Sequence, residues 1–107
     1  MVFSKLNRWT YAVVNTAPTK GGIYIFWTKD KRKCLYVGKA DVSIKDRMRG
    51  HWHQEHNEYL EIYFKSSVKI FVQYEIIDDV GSVHQIEKET IRRLRPVCNR
   101  ERYEKNL

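Results

Sequence analysis

Two runs of β-branched and aromatic residues, separated by a short charged connector, most constrain the fold of this chain. They lie within residues 21–39, whose centre has the sequence Lys-Asp-Lys-Arg-Lys. Such runs around a polar connector are typical of a β-hairpin. If the turn centres near Asp30, Tyr24 and Tyr36 are equally distant from it. We therefore predict that the two tyrosines are cross-strand neighbours with both hydroxyls on one face of the sheet.

The segment after the hairpin has the start signal of a helix. Ser43-Ile44-Lys45-Asp46 matches the capping-box pattern, in which a serine caps the helix and an acidic residue follows three positions later. Arg47 and His51 then lie one helical turn apart on the same side. Residues 51–64 fit either a continuation of this helix or a break near Asn57 followed by a second helix.

The second half of the chain predicts one more strand and one more helix. Residues 68–77 carry apolar side chains at both odd and even positions, which is typical of an interior strand covered by helices. Ser82 and Gln85 form a second capping box, and the helix should run to about Arg95, since Pro96 follows. Its inward-facing stripe is Val83, Ile86, Thr90, Ile91 and Leu94.

Together these elements predict an α/β fold in the order β-β-α-β-α. The sheet would be small, three-stranded and antiparallel, with helices flanking it. We expect residues 1–107 to form a single domain, in which a lead-in (residues 1–20) precedes a motif-bearing core (residues 21–99). Within the lead-in, Thr10 is expected to cap a short helix over residues 11–15.

Composition indicates an anionic partner. Lys and Arg total 20 against 13 Asp and Glu, a formal net charge of +7, and nucleic acid is the commonest partner of so basic a domain. No apolar run approaches a membrane span, and the N-terminus lacks a signal-peptide core. We therefore expect no membrane partner and a cytoplasmic location. The alternatives are association with the nucleoid or, for a phage-encoded protein, the cytoplasm of the host. Cys34 and Cys98 are expected to be reduced, packed thiols.

Glu87 is the most informative single residue for chemistry. It lies four positions from both Val83 and Ile91, so it borders the apolar stripe of its helix, whereas Glu89 should face water. A carboxylate at such a boundary needs a cation or strong donors. The simple interpretation is an edge glutamate paired with Lys or Arg. The alternative is a divalent-metal ligand, because Mg²⁺ is held by one or two carboxylates and keeps most of its water.

Other polar residues each have two interpretations. Arg47 is either a surface charge or a bidentate phosphate ligand, and Lys39 is either a surface lysine or a cation beside a substrate phosphate. Asn99 would cap the last turn or brace the site by hydrogen bonding. His51, His53 and His56 with Glu55 suggest zinc, but only His51 and Glu55 or His53 and His56 would share a helical face, so structural zinc is not expected.

Taken together, the motifs resemble those of the GIY-YIG endonuclease family. That family has a hairpin with two tyrosine tripeptides, here Gly22-Ile23-Tyr24 and Tyr36-Val37-Gly38. A helix arginine with histidine or tyrosine one turn later, a helix glutamate and a proline closely followed by asparagine complete the pattern. The corresponding residues here are Arg47, His51, Glu87, Pro96 and Asn99. Tyr36–Ala40 and Leu94–Pro96 look closest to the nuclease module of the bacterial excision-repair incision subunit, whereas His51 is nearer the homing-endonuclease branch.

The resemblance implies metal-dependent hydrolysis of DNA phosphodiester bonds. By analogy, Glu87 would bind Mg²⁺ or Mn²⁺, and Arg47 would bind the scissile phosphate. Tyr24 would be the general base and Tyr36 would position the attacking water, with His51 as a rival base. Lys39 and Asn99 would have supporting roles.

DNA is accordingly the expected partner, and cutting both strands would require a homodimer or a partner subunit. The sequence does not indicate whether the DNA is a specific site, damaged or branched. A catalytically silent nucleic-acid-binding module of the same fold is the alternative. A protein-interaction domain is a further one, but it leaves the position of Glu87 unexplained.

Overall fold

The computed structural model describes residues 3–99, so residues 1–2 and 100–107 of the predicted domain lie outside it. The described chain forms an α/β fold with one antiparallel sheet flanked by helices, as predicted, but with four strands rather than three. The elements are β1 (Asn7–Arg8), α1 (Tyr11–Thr16), β2 (Gly22–Thr28), β3 (Cys34–Ala40), α2 (Ile44–His53), α3 (Glu58–Lys65), β4 (Ile70–Ile76) and α4 (Val80–Leu94). Two 3₁₀ turns span Lys29–Lys31 and Val97–Asn99. The strand order is β1-β4-β2-β3.

The additional strand comes from the lead-in. Asn7 and Arg8 of β1 pair with β4, and the Ser4 amide extends the contact by donating to the Tyr74 carbonyl at 2.7 Å. A two-residue strand is too short to show alternation in sequence, which is why only the helix was predicted here. That helix is confirmed, because Thr10 caps α1 by accepting from the Val13 amide.

The hairpin register differs from the predicted one. Tyr24 faces Gly38, and Tyr36 faces Phe26 instead. The pairing shifts between Phe26 and Trp27, where a bulge adds one residue to β3. The direct pairing of Tyr24 with Tyr36 was therefore wrong. The two rings nevertheless lie diagonally on one face, with centroids 6.2 Å apart, so the shared face is confirmed.

The sheet separates two apolar clusters. Even-numbered β2 residues such as Tyr24 and Phe26 face the side on which α1, α2 and α3 pack, and this first face holds the larger cluster. Odd-numbered residues face the second side, where Ile25 and Val37 pack against Ile91 of α4. Strand β4 lies inside the sheet, between β1 and β2, as its apolar residues predicted.

Helix boundaries follow local caps. Ser43 caps α2 by accepting from the Asp46 amide at 3.2 Å, as predicted. Residues 51–64 contain a break, because α2 ends at His53 and Asn57 caps α3. Helix α4 begins before the predicted Ser82, since the Asp79 carboxylate already accepts from the Gly81 amide. Among residues 3–99, no helix has the length and apolar character needed to cross a bilayer.

Candidate active site

The centre of the candidate site is a hydrogen bond between β2 and α2. The hydroxyl of Tyr24 lies 2.8 Å from Nε2 of His51, and Tyr24 is fully buried. The His51 ring is surrounded by aromatic rings, with centroids 5.4 Å from Tyr24, 5.5 Å from Tyr36 and 5.3 Å from Phe26. Because a buried tyrosine hydroxyl normally finds a polar partner, this contact satisfies Tyr24 and fixes the orientation of the imidazole.

His51 is held from its other side by a carboxylate. Nδ1 of His51 lies 2.5 Å from Oε1 and 3.0 Å from Oε2 of Glu55. Both side chains are almost inaccessible, with 8% of the His51 side chain and 7% of the Glu55 side chain exposed. The three residues therefore form a continuous chain of hydrogen bonds from Tyr24 through His51 to Glu55.

A cleft of about 540 Å³ opens beside this chain. Its walls include Tyr36, Arg47, His51 and Glu55, whereas Tyr24 lies behind them. Arg47 is one turn before His51 on α2, so both side chains reach the same side of the helix. The cleft thus has a cation and a half-buried tyrosine at its wall, which suits a phosphate group and a bound water.

Burial and charge act in opposite directions on Tyr24. Burial raises the pKa of the Tyr24 hydroxyl above its usual range, and the neighbouring Tyr36 adds to this rise. Arg47 opposes it through its charge and a hydrogen bond. Reciprocally, the charge interaction with Tyr24 raises the pKa of the Arg47 guanidinium. Tyr24 is therefore a neutral hydroxyl at ordinary pH, and Arg47 stays charged beside it.

Glycines of the two tripeptides give the rings and strands room to meet. A Cβ on Gly38 would lie 2.3 Å from both Cζ and Oη of Tyr24, since the tyrosine ring crosses directly over this residue. A Cβ on Gly22 would lie 2.0 Å from the backbone oxygen of Glu75. A side chain at Gly38 would displace the Tyr24 ring, and one at Gly22 would push β4 away from β2.

Asn99 braces the hairpin from the edge of the sheet. Its Oδ1 accepts from the Val37 amide at 2.8 Å, and its Nδ2 donates to the Val37 carbonyl at 3.0 Å. The turn that carries Asn99 is itself anchored, because Nδ2 of Asn57 donates to the Cys98 carbonyl at 2.8 Å. The sequence-based bracing interpretation of Asn99 agrees with these contacts.

Lys39 and Glu87 lie on the other side of β3 from the tyrosine cluster. By alternation along the strand, Lys39 faces the same side as Val37, where α4 packs, and its ammonium pairs with Asp41 at 3.1 Å. Glu87 is one turn before Ile91 on α4, and only 2% of it is exposed. Nδ1 of His84 lies 3.9 Å from its Oε1. Glu87 is thus more deeply buried than we predicted from its position at the border of the apolar stripe.

The donor set at Glu87 suits only some metals. Among residues 3–99, no three His, Cys, Asp or Glu side chains converge into a metal cage. A closed zinc site needs four protein ligands, whereas Mg²⁺ is held by one or two carboxylates with water completing its shell. A single buried carboxylate on α4 fits the second pattern.

The structure therefore assembles most of the sequence-predicted residues into one place. Tyr24, Tyr36, Arg47 and His51 form the cluster, Asn99 braces the strand beneath it, and Lys39 and Glu87 lie across β3. Sequence reasoning missed Glu55 as a site residue. Its spacing of four from His51 was the available signal, but its burial depends on how the α2–α3 connector folds.

These features define a small antiparallel α/β domain whose polar site is built on a tyrosine-bearing hairpin at the edge of the sheet. The family model of the GIY-YIG catalytic domain matches residues 20–103, and the chain belongs to this family. Among curated proteins, no match is found.

Solved structures of similar fold include wild-type and variant forms of one domain from Thermotoga maritima. The N-terminal GIY-YIG endonuclease domain of UvrC from Thermotoga maritima, bound to its catalytic divalent cation magnesium, has a TM-score of 0.66 at 22% identity. The match covers 82% of this chain and 92% of that one. An asparagine-to-alanine variant of that domain, also bound to its catalytic divalent cation, has a TM-score of 0.65 at 21% identity, over 81% of this chain and 90% of that one.

Proposed function

We propose that this chain is a divalent-metal-dependent DNA endonuclease that hydrolyses phosphodiester bonds. The observation that carries the proposal is the hydrogen bond between Tyr24 and His51, 2.8 Å long, beside a cleft walled by Arg47. A proton donor and a proton acceptor thus meet beside a guanidinium, the kind of cation that pairs well with phosphate. The family membership and the net charge of +7 support a polyanionic substrate.

In this proposal, Arg47 binds the scissile phosphate with its planar guanidinium. Arg47 then turns away from Tyr24 and leaves the tyrosine oxygen facing the cleft. Tyr24 takes a proton from the attacking water while its own proton passes to Nε2 of His51. Because burial raises the pKa of Tyr24, concerted transfer of a proton through its hydroxyl is more favourable than formation of a stable phenolate. Tyr36, at the cleft wall, positions the water.

Glu87 would hold Mg²⁺ or Mn²⁺ in this proposal. A bound divalent ion supplies positive charge that stabilises the pentavalent phosphorus transition state and the leaving oxygen. The buried carboxylate of Glu87 and the magnesium of the Thermotoga domain support this assignment. Lys39 would leave its ion pair with Asp41 and pair with a substrate phosphate instead. Asn99 would hold β3 in register.

A plasmid assay tests the proposal. Supercoiled plasmid and a branched DNA are incubated with the full chain, with and without Mg²⁺, beside Glu87→Gln. Glu89→Gln is the matched control, because Glu89 lies on the same helix but is exposed. We expect cleavage that needs the metal, persists in Glu89→Gln and is lost in Glu87→Gln.

Two results would contradict the proposal, the first its enzymatic activity and the second its metal ligand. Tight DNA binding without cleavage on either substrate would favour the silent binding module. Equal cleavage by wild type and Glu87→Gln would reject Glu87 as the metal ligand. The product also tests the proposed partner, since nicked circles are expected from single copies and linear plasmid from a homodimer or a chain with a partner subunit.

A further inference from the structure

We propose that Glu55 is a positioning residue that fixes the proton of His51 on Nδ1, so that Nε2 accepts the proton of Tyr24. This inference rests on the proposed function for its catalytic consequence, but the arrangement of hydrogen bonds is independent of it. Glu55 belongs to neither tyrosine tripeptide, and it follows α2 in the connector to α3.

The direction of the hydrogen bonds follows from the chemistry of the three groups. An ionised carboxylate only accepts, so Nδ1 of His51 must donate to Glu55. A neutral imidazole then has its lone pair on Nε2, which accepts from the Tyr24 hydroxyl. The opposite tautomer would point the Nδ1 lone pair at the carboxylate oxygens, an arrangement without a hydrogen bond.

Burial of Glu55 is difficult to explain by folding alone. Glutamates in connectors are normally solvated, and a buried carboxylate costs several kcal/mol unless it is paired. Only 7% of the Glu55 side chain is exposed, and its contact is His51. The connector is held in place by Asn57, whose amide bonds to the Cys98 carbonyl. The fold therefore brings the Glu55 carboxylate to His51.

The proposed step balances as follows. The Tyr24 Oη–H bond breaks as Nε2–H forms on His51, and Oη gains the proton of the water whose oxygen bonds to phosphorus. The bond from phosphorus to the leaving oxygen breaks, and that oxygen is protonated from solvent. The Glu55 carboxylate faces the resulting imidazolium. The Tyr36 ring lies 5.5 Å from that of His51, and Arg47 interacts through its charge with both Tyr24 and Glu55.

Two variants separate position from charge. Glu55→Leu removes both the acceptor and the charge, whereas Glu55→Gln keeps an acceptor oxygen but loses the charge. Glu58→Gln is the control, because Glu58 is nearby and exposed. The ring nitrogens of His51 are observed by long-range ¹H–¹⁵N correlation spectra of the histidine-labelled full chain, and kcat and KM are measured on plasmid.

We expect a single Nδ1–H tautomer in wild type and in Glu58→Gln, and averaged nitrogen shifts in Glu55→Leu. Glu55→Gln should keep the tautomer. In Glu55→Leu kcat should fall by about 100-fold with KM unchanged, and the fall in Glu55→Gln should be smaller because that variant keeps the tautomer. If Glu55→Leu does not fold, the inference is tested by the His51 spectra of wild type and of Glu55→Gln.

A proton on Nε2 in wild type, or an unchanged spectrum in Glu55→Leu, would overturn the inference. So would an unchanged kcat in Glu55→Leu in a protein that cuts DNA. Failure of the nuclease would look different. A protein that shows the expected tautomer and its loss in Glu55→Leu, yet cuts no DNA, would support the positioning of His51 and reject the enzyme.

Discussion

The side-chain amide of Asn99 pairs with both backbone groups of Val37, at 2.8 Å and 3.0 Å. Val37 is the middle residue of the second tyrosine tripeptide. Asn99 is 3% exposed, so these two bonds are made away from water. The residue between Tyr36 and Gly38 is thus fixed by a side chain from the far end of the described chain.

Replacement of Asn99 should therefore destabilise the fold. Asn99→Ala leaves two buried backbone groups without partners, and we expect the free energy of unfolding to fall by about 2–4 kcal/mol. Urea unfolding measures the loss, and hydrogen exchange of the Val37 amide locates it. Asn7→Ala is the comparison, because the Asn7 amide makes one exposed bond at 3.3 Å. Similar losses in both variants would contradict the bracing role.

Two glycine-to-alanine changes should have opposite effects. In Gly38→Ala, the new Cβ meets the Tyr24 ring at 2.3 Å, so we expect a loss of about 1–3 kcal/mol and disturbance of the bond to His51. In Gly50→Ala, inside α2, the new Cβ meets nothing within 4 Å. That variant should gain about 0.4–1 kcal/mol. Thermal unfolding and near-ultraviolet circular dichroism compare them. A neutral Gly38→Ala would show that the ring is free to move.

Tyr24→Phe removes the hydroxyl and keeps the ring. His51 then loses the donor to Nε2, a buried acceptor, and we expect a loss of about 1–2 kcal/mol in stability. If the chain is a nuclease, DNA cleavage should fall by about 100-fold. Tyr11→Phe, at a ring that is 55% exposed, should change neither quantity. Unaltered cleavage by Tyr24→Phe would remove this residue from the proton path.

The two thiols predict a loss of stability at alkaline pH. Burial raises the pKa of Cys34 from 9.0 to about 12, and burial raises the pKa of Cys98 from 9.0 to about 11. Between pH 9 and the raised pKa of each thiol, the unfolded chain loses a thiol proton that the folded chain keeps. Stability is therefore full below pH 9 and falls as the pH rises, by at most about 1.4 kcal/mol per pH unit for each thiol.

Urea unfolding at a series of pH values measures this slope. Above pH 9, the free energy of unfolding should fall less steeply with pH in Cys34→Ala than in wild type, because one of the two thiols is gone. The wild-type thiols should also react slowly with a disulfide reagent in the folded state, since the thiolate is the reactive form. Equal slopes in wild type and Cys34→Ala would contradict the inferred burial effect.

The start of α4 gives a further test. Oδ1 of Asp79 accepts from the Gly81 amide at 3.1 Å, and Oδ2 accepts from the Ser82 hydroxyl at 2.7 Å. Asp79→Ala should cost about 1 kcal/mol of stability by removing the cap. Asp78→Ala, one residue earlier and exposed, should remain within about 0.5 kcal/mol of wild type. A larger loss in Asp78→Ala would place the cap there.

Much of this arrangement could be predicted because it is local in sequence. Strand and helix periodicity placed Tyr24 and Tyr36 on one face, and helical spacing placed Arg47 and His51 together. The register error of two positions had two sources: the turn is centred between residues 30 and 31 rather than on Asp30, and a one-residue bulge follows in β3, for which no residue type gave a signal. The start of α4 was missed since both Asp79 and Ser82 are good caps, and the structure uses the earlier one.

The long-range features had no sequence signal of this kind. Strand β1 has two residues, and its pairing with β4 depends on contacts more than sixty positions away. The burial of Glu55 depends on a bond between Asn57 and Cys98, 41 residues apart. Such contacts are set by the packed fold, so periodicity does not report them.

The bond pair at Val37 also restricts how two copies of the chain can associate. An outer strand such as β3 presents unpaired amides and carbonyls, on which a second copy could build a continuous intermolecular sheet. At the centre of β3 those groups are already taken by Asn99. A second chain that paired with the centre of β3 would therefore first have to displace Asn99 from Val37.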